Sequence, residues 1–356
     1  MLRRRTLLRA GAWWSAGWLG AGLDVSGLSG CGDDDAPADA RRFVPPMCSA
    51  FDAGGGALDL GGQQQLYEWY VRCGADALLI SGYTSEFFEL LDAEHLAQLD
   101  RARAAVPRGR GAVPLFDSVS SALGASYGTP DFLAGQAAFI ALQQERGVQV
   151  SLLLPGYMAP QATDSFVAAA AAVARATAGA LGIYEAVVPV HRLVSVAEYE
   201  QLWMQFGGRF VLHKDTSGDL ARMQALLEVA PTGWALYNVP TSVQAQAFDL
   251  GATGALSFAG AFFPELMAFA CHRWPSRRAR RAVEWMVAVD GFVSDPASYP
   301  LNLKSVLRRR GLPIEPVTRL TNEGQPLRPP GTDQIDQLLR QYADVCARLG
   351  VRLVRP

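Results

Sequence analysis

The chain has 356 residues, half of them hydrophobic, and a formal net charge of −2 at pH 7. This length and apolar content fit one large α/β domain or two medium ones. A net charge so close to zero gives no support for a nucleic-acid partner, and the sequence predicts none.

The N-terminal segment resembles an export signal. An arginine pair at residues 4–5 precedes an apolar stretch with three tryptophans, as in a twin-arginine signal. Residues 28–31, Leu-Ser-Gly-Cys, match a bacterial lipobox, which makes Cys31 the candidate lipidation site. A chance Gly-Cys pair is the alternative, because Asp24 interrupts the apolar stretch. We expect residues 32–42 to form an acidic tether, and the mature protein to contact a bacterial membrane through this lipid only, on the periplasmic side or at the cell surface.

Short apolar runs then alternate with amphipathic stretches. Eight runs predict strands at residues 42–48, 75–81, 111–116, 148–154, 181–187, 210–213, 234–237 and 252–258. Amphipathic stretches between most of them predict helices at residues 93–105, 133–145, 165–178, 197–206 and 220–229. Eight parallel βα units close a barrel, so the predicted fold is α/β, a (βα)8 TIM barrel. An open doubly wound sheet is the alternative, but no glycine-rich phosphate turn follows the first strand.

The pattern after residue 258 is helical. Stretches at residues 264–272, 276–289, 301–310 and 332–349 predict helices, which prolines separate. They predict a helical C-terminal extension packed on the barrel. The expected division is a signal at residues 1–31, the tether at 32–42, the barrel at 43–295 and the extension at 296–356.

Four further cysteines lie far apart in apolar segments: Cys48, Cys73, Cys271 and Cys346. No Cys-x-x-Cys pair and no zinc-ligand spacing occurs, so no metal site is predicted. We expect buried free thiols, with disulfide pairing as the alternative.

Lysine is rare in this chain, with two residues against thirty arginines. One of them, Lys214, falls at the end of the sixth predicted strand, where TIM barrels carry their functional residues. A guanidinium stays protonated, whereas a desolvated lysine can lose its proton and act as a nucleophile. Lys214 is therefore a candidate for covalent catalysis; an ordinary lysine is the alternative.

Several segments support this hypothesis by their order along the chain. Residues 82–86 read Gly-Tyr-Thr-Ser-Glu, residues 155–157 read Pro-Gly-Tyr, and Tyr184 and Lys214 follow on the fifth and sixth predicted strands. These segments resemble the Gly-Thr-Thr-Gly-Glu motif, the Pro-Tyr-Tyr segment, the strand-five tyrosine and the Schiff-base lysine of the dihydrodipicolinate synthase / N-acetylneuraminate lyase family of class I aldolase-type barrels. The resemblance extends over about residues 43–310.

The resemblance implies a mechanism and its residues. Lys214 would condense with the keto carbon of a 2-oxo acid such as pyruvate, and a carbon–carbon bond would then be made or broken. Tyr184 and Tyr157 would relay protons. No cofactor is implied, because the lysine imine is itself the electron sink, and the family's habit implies a homodimer or homotetramer. The implied substrate-binding residues are Tyr83, Thr84, Ser85 and Arg192.

The chain also departs from the family pattern. Tyr83 stands in place of a threonine that belongs to the proton relay, and Ser85 replaces a glycine, which would matter if that position needs a positive φ. His213 replaces a small residue and could either be a satisfied neighbour of Lys214 or tune it. Glu86 is expected to cap or anchor its helix rather than form a glycosidase pair with Asp117.

Two other functions remain open at this point. A barrel with altered motifs could bind an oxo acid or a sugar acid as a lipoprotein without turning it over. A dehydratase could use the same lysine imine to break a carbon–oxygen bond.

Overall fold

The computed structural model describes residues 41–107, 113–119, 126–322 and 325–356. Eight short strands form one parallel sheet, in the order β1-β8-β7-β6-β5-β4-β3-β2. They are β1 (Arg42–Phe43), β2 (Leu78–Leu79), β3 (Leu115–Ser118), β4 (Val150–Leu153), β5 (Ala180–Tyr184), β6 (Phe210–Asp215), β7 (Ala235–Asn238) and β8 (Gly254–Ala255). A parallel bridge between Pro46 and Leu79 joins the two ends of this order, so the sheet closes. The predicted α/β fold, a (βα)8 barrel, is confirmed.

Helices surround the sheet and continue past it. They are α1 (Leu60–Arg72), α2 (Asp92–Ala105), α3 (Pro130–Glu145), α4 (Pro155–Met158), α5 (Phe166–Ala176), α6 (Val196–Phe206), α7 (Leu220–Val229), α8 (Gln244–Leu250), α9 (Phe258–Phe262), α10 (Pro264–His272), α11 (Arg277–Ala288), α12 (Asp290–Val293), α13 (Leu301–Arg309) and α14 (Thr332–Leu349). Among the described residues, no helix has both the length and the apolar character needed to cross a membrane.

Polar side chains set where many of these helices begin. Asp59 accepts hydrogen bonds from the first free amides of α1, and Ser195 and Glu198 cap α6 reciprocally. Side chains that accept from a first-turn amide also start α3, α5, α7 and α11: Thr129, Ser165, Asp219 and Ser276. These helix starts are encoded locally, which fixes the length of each loop between strand and helix.

The strands at the barrel seam are shorter than their apolar runs predict. β1 ends at Phe43 and β8 ends at Ala255, whereas Phe258, the last residue of the eighth predicted strand, already begins α9. Gly254 lies so close to the Arg42 carbonyl that a Cβ would clash with it. The two strands therefore meet through their backbones over two residues, and the first apolar run continues beyond β1 to the bridge between Pro46 and Leu79.

The helical C-terminal extension is present. The helices predicted at residues 264–272 and 332–349 have those bounds as α10 and α14. α13 packs on α9 and α14 packs on α11, so contacts continue across the predicted boundary at residue 296. A short antiparallel pair that the sequence did not predict, β9 (Thr321–Asn322) and β10 (Gln325–Pro326), lies between α13 and α14. The predicted signal at residues 1–31 and nearly all of the tether fall outside the described residues.

Glu86 ties this extension to the loop that follows β2. It is fully buried and has a φ of 59°, in the left-handed region. Its Oε1 accepts from Lys304 Nζ at 2.5 Å, and its Oε2 accepts from Thr318 Oγ1 and Arg319 N at 2.8 Å each. Both oxygens are occupied, so Glu86 is an anchor, and none remains for a glycosidase pair with Asp117.

The four cysteines outside the signal are free and buried, as the sequence predicted: Cys48, Cys73, Cys271 and Cys346. Burial raises the pKa of Cys48 to about 12. A thiol of this kind stays protonated and packs as a small apolar group.

We expect Lys304→Met to lower the free energy of unfolding by about 3–5 kcal/mol, because Glu86 would keep a buried charge without its partner. Arg309→Met is the control: it removes an exposed ion pair with Asp336, which water already solvates. Urea denaturation followed by circular dichroism measures both variants. A loss for Lys304→Met no larger than that of the control would contradict the anchoring role.

Candidate active site

Lys214 lies near the C-terminal end of β6, on the face of the strand that points into the barrel. Its cross-strand neighbours are Tyr184 on β5 and Tyr237 on β7. The residue is 2% exposed, and no described residue offers it a hydrogen bond or a carboxylate. Burial lowers the pKa of Lys214 well below its usual value. Such an amine can be neutral near pH 7, as a nucleophile must be.

The ring of Tyr184 lies against the amine of Lys214. Lys214 Nζ lies 3.4 Å from the centroid of the Tyr184 ring, and the Tyr184 hydroxyl accepts a long hydrogen bond, 3.4 Å, from Tyr83 N. Burial raises the pKa of Tyr184, so the phenol keeps its proton. The phenol beside the amine is thus neutral, and the role of Tyr184 in a proton relay stays a prediction.

The turn after β2 lies against the same amine. A Cβ at Gly82 would be 3.8 Å from Lys214 Nζ. Ser85 Oγ closes this turn by accepting from Gly82 N and donating to Gly82 O, at 2.9 Å each. The Thr84 amide has no acceptor among the described residues. Together with the Thr84 hydroxyl and the weakly bonded Tyr83 amide, it forms a nest of donors suited to a carboxylate.

The Ser85 side chain is engaged within the turn, and its predicted contact with a substrate stays a prediction. Its hydroxyl is used inside the turn and its side chain is buried, so it has no free group to offer a substrate. The positive φ that the family's glycine suggested for this position occurs one residue later, at Glu86. A serine at position 85 is therefore free of backbone strain.

Tyr157 lies in α4 at the mouth of the barrel. Its ring packs on Tyr127 at 4.8 Å and on Phe87 at 6.0 Å between centroids. Burial raises its pKa, and the nearby hydroxyls of Tyr127 and Tyr184 add to the shift. Tyr157 is thus close to Tyr184, but its part in the relay stays a prediction.

Arg192 holds a loop. Its terminal nitrogens donate to the carbonyls of Ala159, Gln161 and Asp164 at 2.8, 3.0 and 2.9 Å, and one of them lies 3.4 Å from Glu198 Oε1. Both terminal nitrogens are engaged, so the geometry favours a structural role. Binding of a distal substrate group by Arg192 stays a prediction, and Arg192 would have to give up one of these hydrogen bonds to make that contact.

A buried charged cluster lies on the outer face of β5 and β6, behind Lys214. Arg222 Nη1 bonds Asp215 Oδ2 at 2.5 Å, and Arg222 Nη2 bonds Glu185. His213 Nε2 lies 3.5 Å from Glu185 Oε2 and 3.6 Å from Asp215 Oδ2, and His213 Nδ1 is hydrogen-bonded to the Tyr199 hydroxyl at 2.6 Å. His213 is therefore a partnered neighbour of Lys214 on the opposite face of the strand.

The same cluster is the one group of described residues with metal-ligand spacing: Glu185, His213 and Asp215. Arg222 bonds both carboxylates, and its single positive charge balances one of their two negative charges. Burial favours neutral His213, but Glu185 and Asp215 outweigh it and raise the pKa of His213. The guanidinium of Arg222 thus already occupies an oxygen of each acid and would repel a metal ion there, so the donor set does not fit one.

Sequence reasoning missed Tyr299. Its hydroxyl donates to Thr84 Oγ1 at 2.5 Å, although the two residues are 215 positions apart in the sequence. No local pattern marks it, because its position depends on how the extension packs over the barrel mouth. The closest signal was the nearby Lys304, which falls in the region of resemblance.

A buried lysine with a lowered pKa, a neutral tyrosine beside it and a turn of free donors, all at the C-terminal end of a (βα)8 barrel, define a class I aldolase-type site. A model of the dihydrodipicolinate synthetase family matches residues 39–338. The chain belongs to this family, and it is a lysine-dependent lyase of the class I aldolase type.

Individual relatives agree with this placement. The chain is 28% identical over 330 residues to 4-hydroxy-tetrahydrodipicolinate synthase 1 of Streptomyces coelicolor, covering 89% of this chain and 98% of the relative. It is 28% identical over 281 residues to the "probable 5-dehydro-4-deoxyglucarate dehydratase 2" of Streptomyces avermitilis, covering 76% and 78%. The dihydrodipicolinate synthase of Acinetobacter baumannii, solved with pyruvate, shares the fold with a TM-score of 0.69 at 19% identity, covering 88% and 100%.

We expect the stability that His213 contributes to depend on pH. Its pKa is raised in the folded state, so its charged form stabilises fully below about pH 6.5 and less as pH rises through the folded pKa. The difference in unfolding free energy between the parent and His213→Asn should therefore shrink between pH 6 and pH 9. Urea titrations at several pH values measure it, and a difference independent of pH would contradict a charged His213.

Proposed function

We propose that this chain forms an imine between Lys214 and a pyruvate-like 2-oxo acid, then makes or breaks a carbon–carbon bond next to it. The observation that carries this proposal is the buried, counter-ion-free amine of Lys214 beside the donors of Thr84. The Acinetobacter relative that was solved with pyruvate supports the choice of substrate class.

The chemistry follows from the site. The lone pair of Lys214 Nζ attacks the keto carbon, the resulting carbinolamine takes up a proton and loses water, and an iminium ion remains. The nest at Tyr83 and Thr84 holds the carboxylate, while the Tyr184 hydroxyl can pass protons to and from the keto oxygen. The iminium then accepts the electron pair released when the adjacent carbon loses a proton or a carbon–carbon bond breaks. The enamine so formed attacks an aldehyde in the synthetic direction.

A dehydratase reaction through the same imine is the second candidate. The Streptomyces avermitilis relative, named as a dehydratase, favours it. In addition, Tyr83 replaces the threonine of the synthase motif, whose small hydroxyl belongs to the proton relay. Product analysis separates the two reactions, because a dehydratase releases water and keeps the carbon chain intact.

We expect sodium borohydride to trap pyruvate on the protein as one covalent adduct per chain, in the peptide that contains Lys214. Lys214→Arg should abolish the adduct, since a guanidinium does not form an imine. Lys304 is an internal control, because its amine is bonded to Glu86 and should stay unmodified. Mass spectrometry of the intact chain and its peptides measures the result.

Failure to trap pyruvate or several other 2-oxo acids on folded protein would contradict the proposal. Tight binding of the same acids that survives Lys214→Ala, without turnover, would instead support a non-catalytic binding protein.

We also propose that the protein is exported and anchored at a bacterial membrane through a lipid on Cys31. The arginine pair and the Leu-Ser-Gly-Cys segment support this, and Tat export with periplasmic or surface exposure follows from it. Assembly as a homodimer or homotetramer, which sedimentation analysis would measure, is part of the same proposal.

Expression in a bacterial host with a labelled fatty acid should give a labelled protein in the membrane fraction. Cys31→Ser should lose the label and move to the soluble fraction, because the thiol is the acceptor of the lipid. An unlabelled parent protein, or a Cys31→Ser variant that keeps its label, would contradict lipid anchoring.

A further inference from the structure

Tyr299 reaches the donor turn from the far side of the barrel mouth. It follows α12, and its hydroxyl lies 2.5 Å from Thr84 Oγ1. Its ring is stacked on Tyr83, with centroids 6.2 Å apart and an interplanar angle of 9°, and packs on Phe258 at 4.7 Å. The residue is buried, so these contacts hold the phenol in one position.

The proton on each hydroxyl can be assigned from the available partners. Burial raises the pKa of Tyr299, so the phenol stays protonated. Thr84 Oγ1 is its one acceptor among the described residues. Without a bound anion, one of the two buried hydroxyl protons lacks an acceptor in either orientation, which costs about 1–3 kcal/mol. An anion in the turn can accept the proton of Thr84, and both hydroxyls are then satisfied only if Tyr299 is the donor to Thr84 Oγ1. The proton of Thr84 has no other acceptor among the described residues.

Tyr83 changes which hydroxyl groups the turn can offer to a substrate. Its large ring stands where the family motif has a small hydroxyl, so Thr84 and Ser85 carry the two aliphatic hydroxyls of the turn. Ser85 uses its hydroxyl to close the turn on Gly82. The orientation of the Thr84 hydroxyl thus decides whether the turn presents an aliphatic hydroxyl donor to an anion.

We propose that Tyr299 is a positioning residue for the substrate carboxylate: its hydrogen bond to Thr84 Oγ1 fixes the threonine hydroxyl as a donor to that carboxylate. This inference rests on the proposed function, since it concerns the same imine-forming site. The role belongs to the C-terminal extension, which makes the extension part of the substrate pocket. It predicts an effect on ketones that carry a carboxylate and none on ketones that lack one.

The test compares pyruvate with acetone, which has the same methyl ketone but no carboxylate. The rate of reductive trapping on Lys214 is measured for both at fixed concentration. Tyr299→Phe should slow trapping of pyruvate about three- to tenfold, because the Thr84 hydroxyl is no longer held as a donor and its charge-assisted bond to the carboxylate weakens, and leave acetone unchanged. Tyr342→Phe is the matched control, a buried tyrosine that donates to Glu265 Oε2 at 2.7 Å and packs on Phe263. It should change neither rate.

A double variant tests whether Tyr299 acts through Thr84. In a Thr84→Val background, Tyr299→Phe should have no further effect on pyruvate. Equal slowing of pyruvate and acetone by Tyr299→Phe, or additive effects of the two substitutions, would overturn the inference. An unchanged pyruvate rate in Tyr299→Phe would overturn it as well. A parent protein that traps no pyruvate at all would overturn the proposed function, which is a distinct result.

Discussion

The structure depends on keeping one amine out of water without giving it a carboxylate. Asp215 and Glu185 are sequence neighbours of Lys214 and Tyr184, and either acid facing inward would hold Lys214 as an ammonium. Strand alternation sends both acids to the outer face, where Arg222 bonds each of them. The alternation of side chains along β5 and β6 therefore produces both the charged cluster on the outer face and the uncharged pocket around Lys214.

The C-terminal extension serves the same five-residue turn, 82–86, from two points. Lys304 bonds Glu86 at the end of the turn, and Tyr299 bonds Thr84 in its middle. The turn has little regular structure to hold it, and these two long-range contacts supply what a strand ladder would supply elsewhere. The second lysine of the chain is thus buried and bonded to a carboxylate, whereas the first is buried without a carboxylate partner among the described residues.

The sequence predicts what depends on periodicity and on local caps. The eight strands, the position of Lys214 at the end of β6 and the bounds of α10 and α14 follow from apolar spacing and flanking prolines. Contacts between distant segments do not follow. Tyr299 meets Thr84 across 215 positions, and the engagement of Arg192 with three carbonyls depends on a loop whose path no pattern encodes.

The absence of a carboxylate near Lys214 among the described residues has an electrostatic consequence for the reaction cycle. Imine formation converts a neutral amine into a cation inside a medium of low polarity, where an isolated charge is costly. The described residues supply no anion beside Lys214, whereas a carboxylate on the substrate can supply one. A 2-oxo acid carries its counter-ion one bond away from the carbon that becomes positive. The iminium and the substrate carboxylate together form a zwitterion, which a pocket of low polarity tolerates better than an isolated cation. The neutral barrel interior therefore favours ketones that carry a carboxylate.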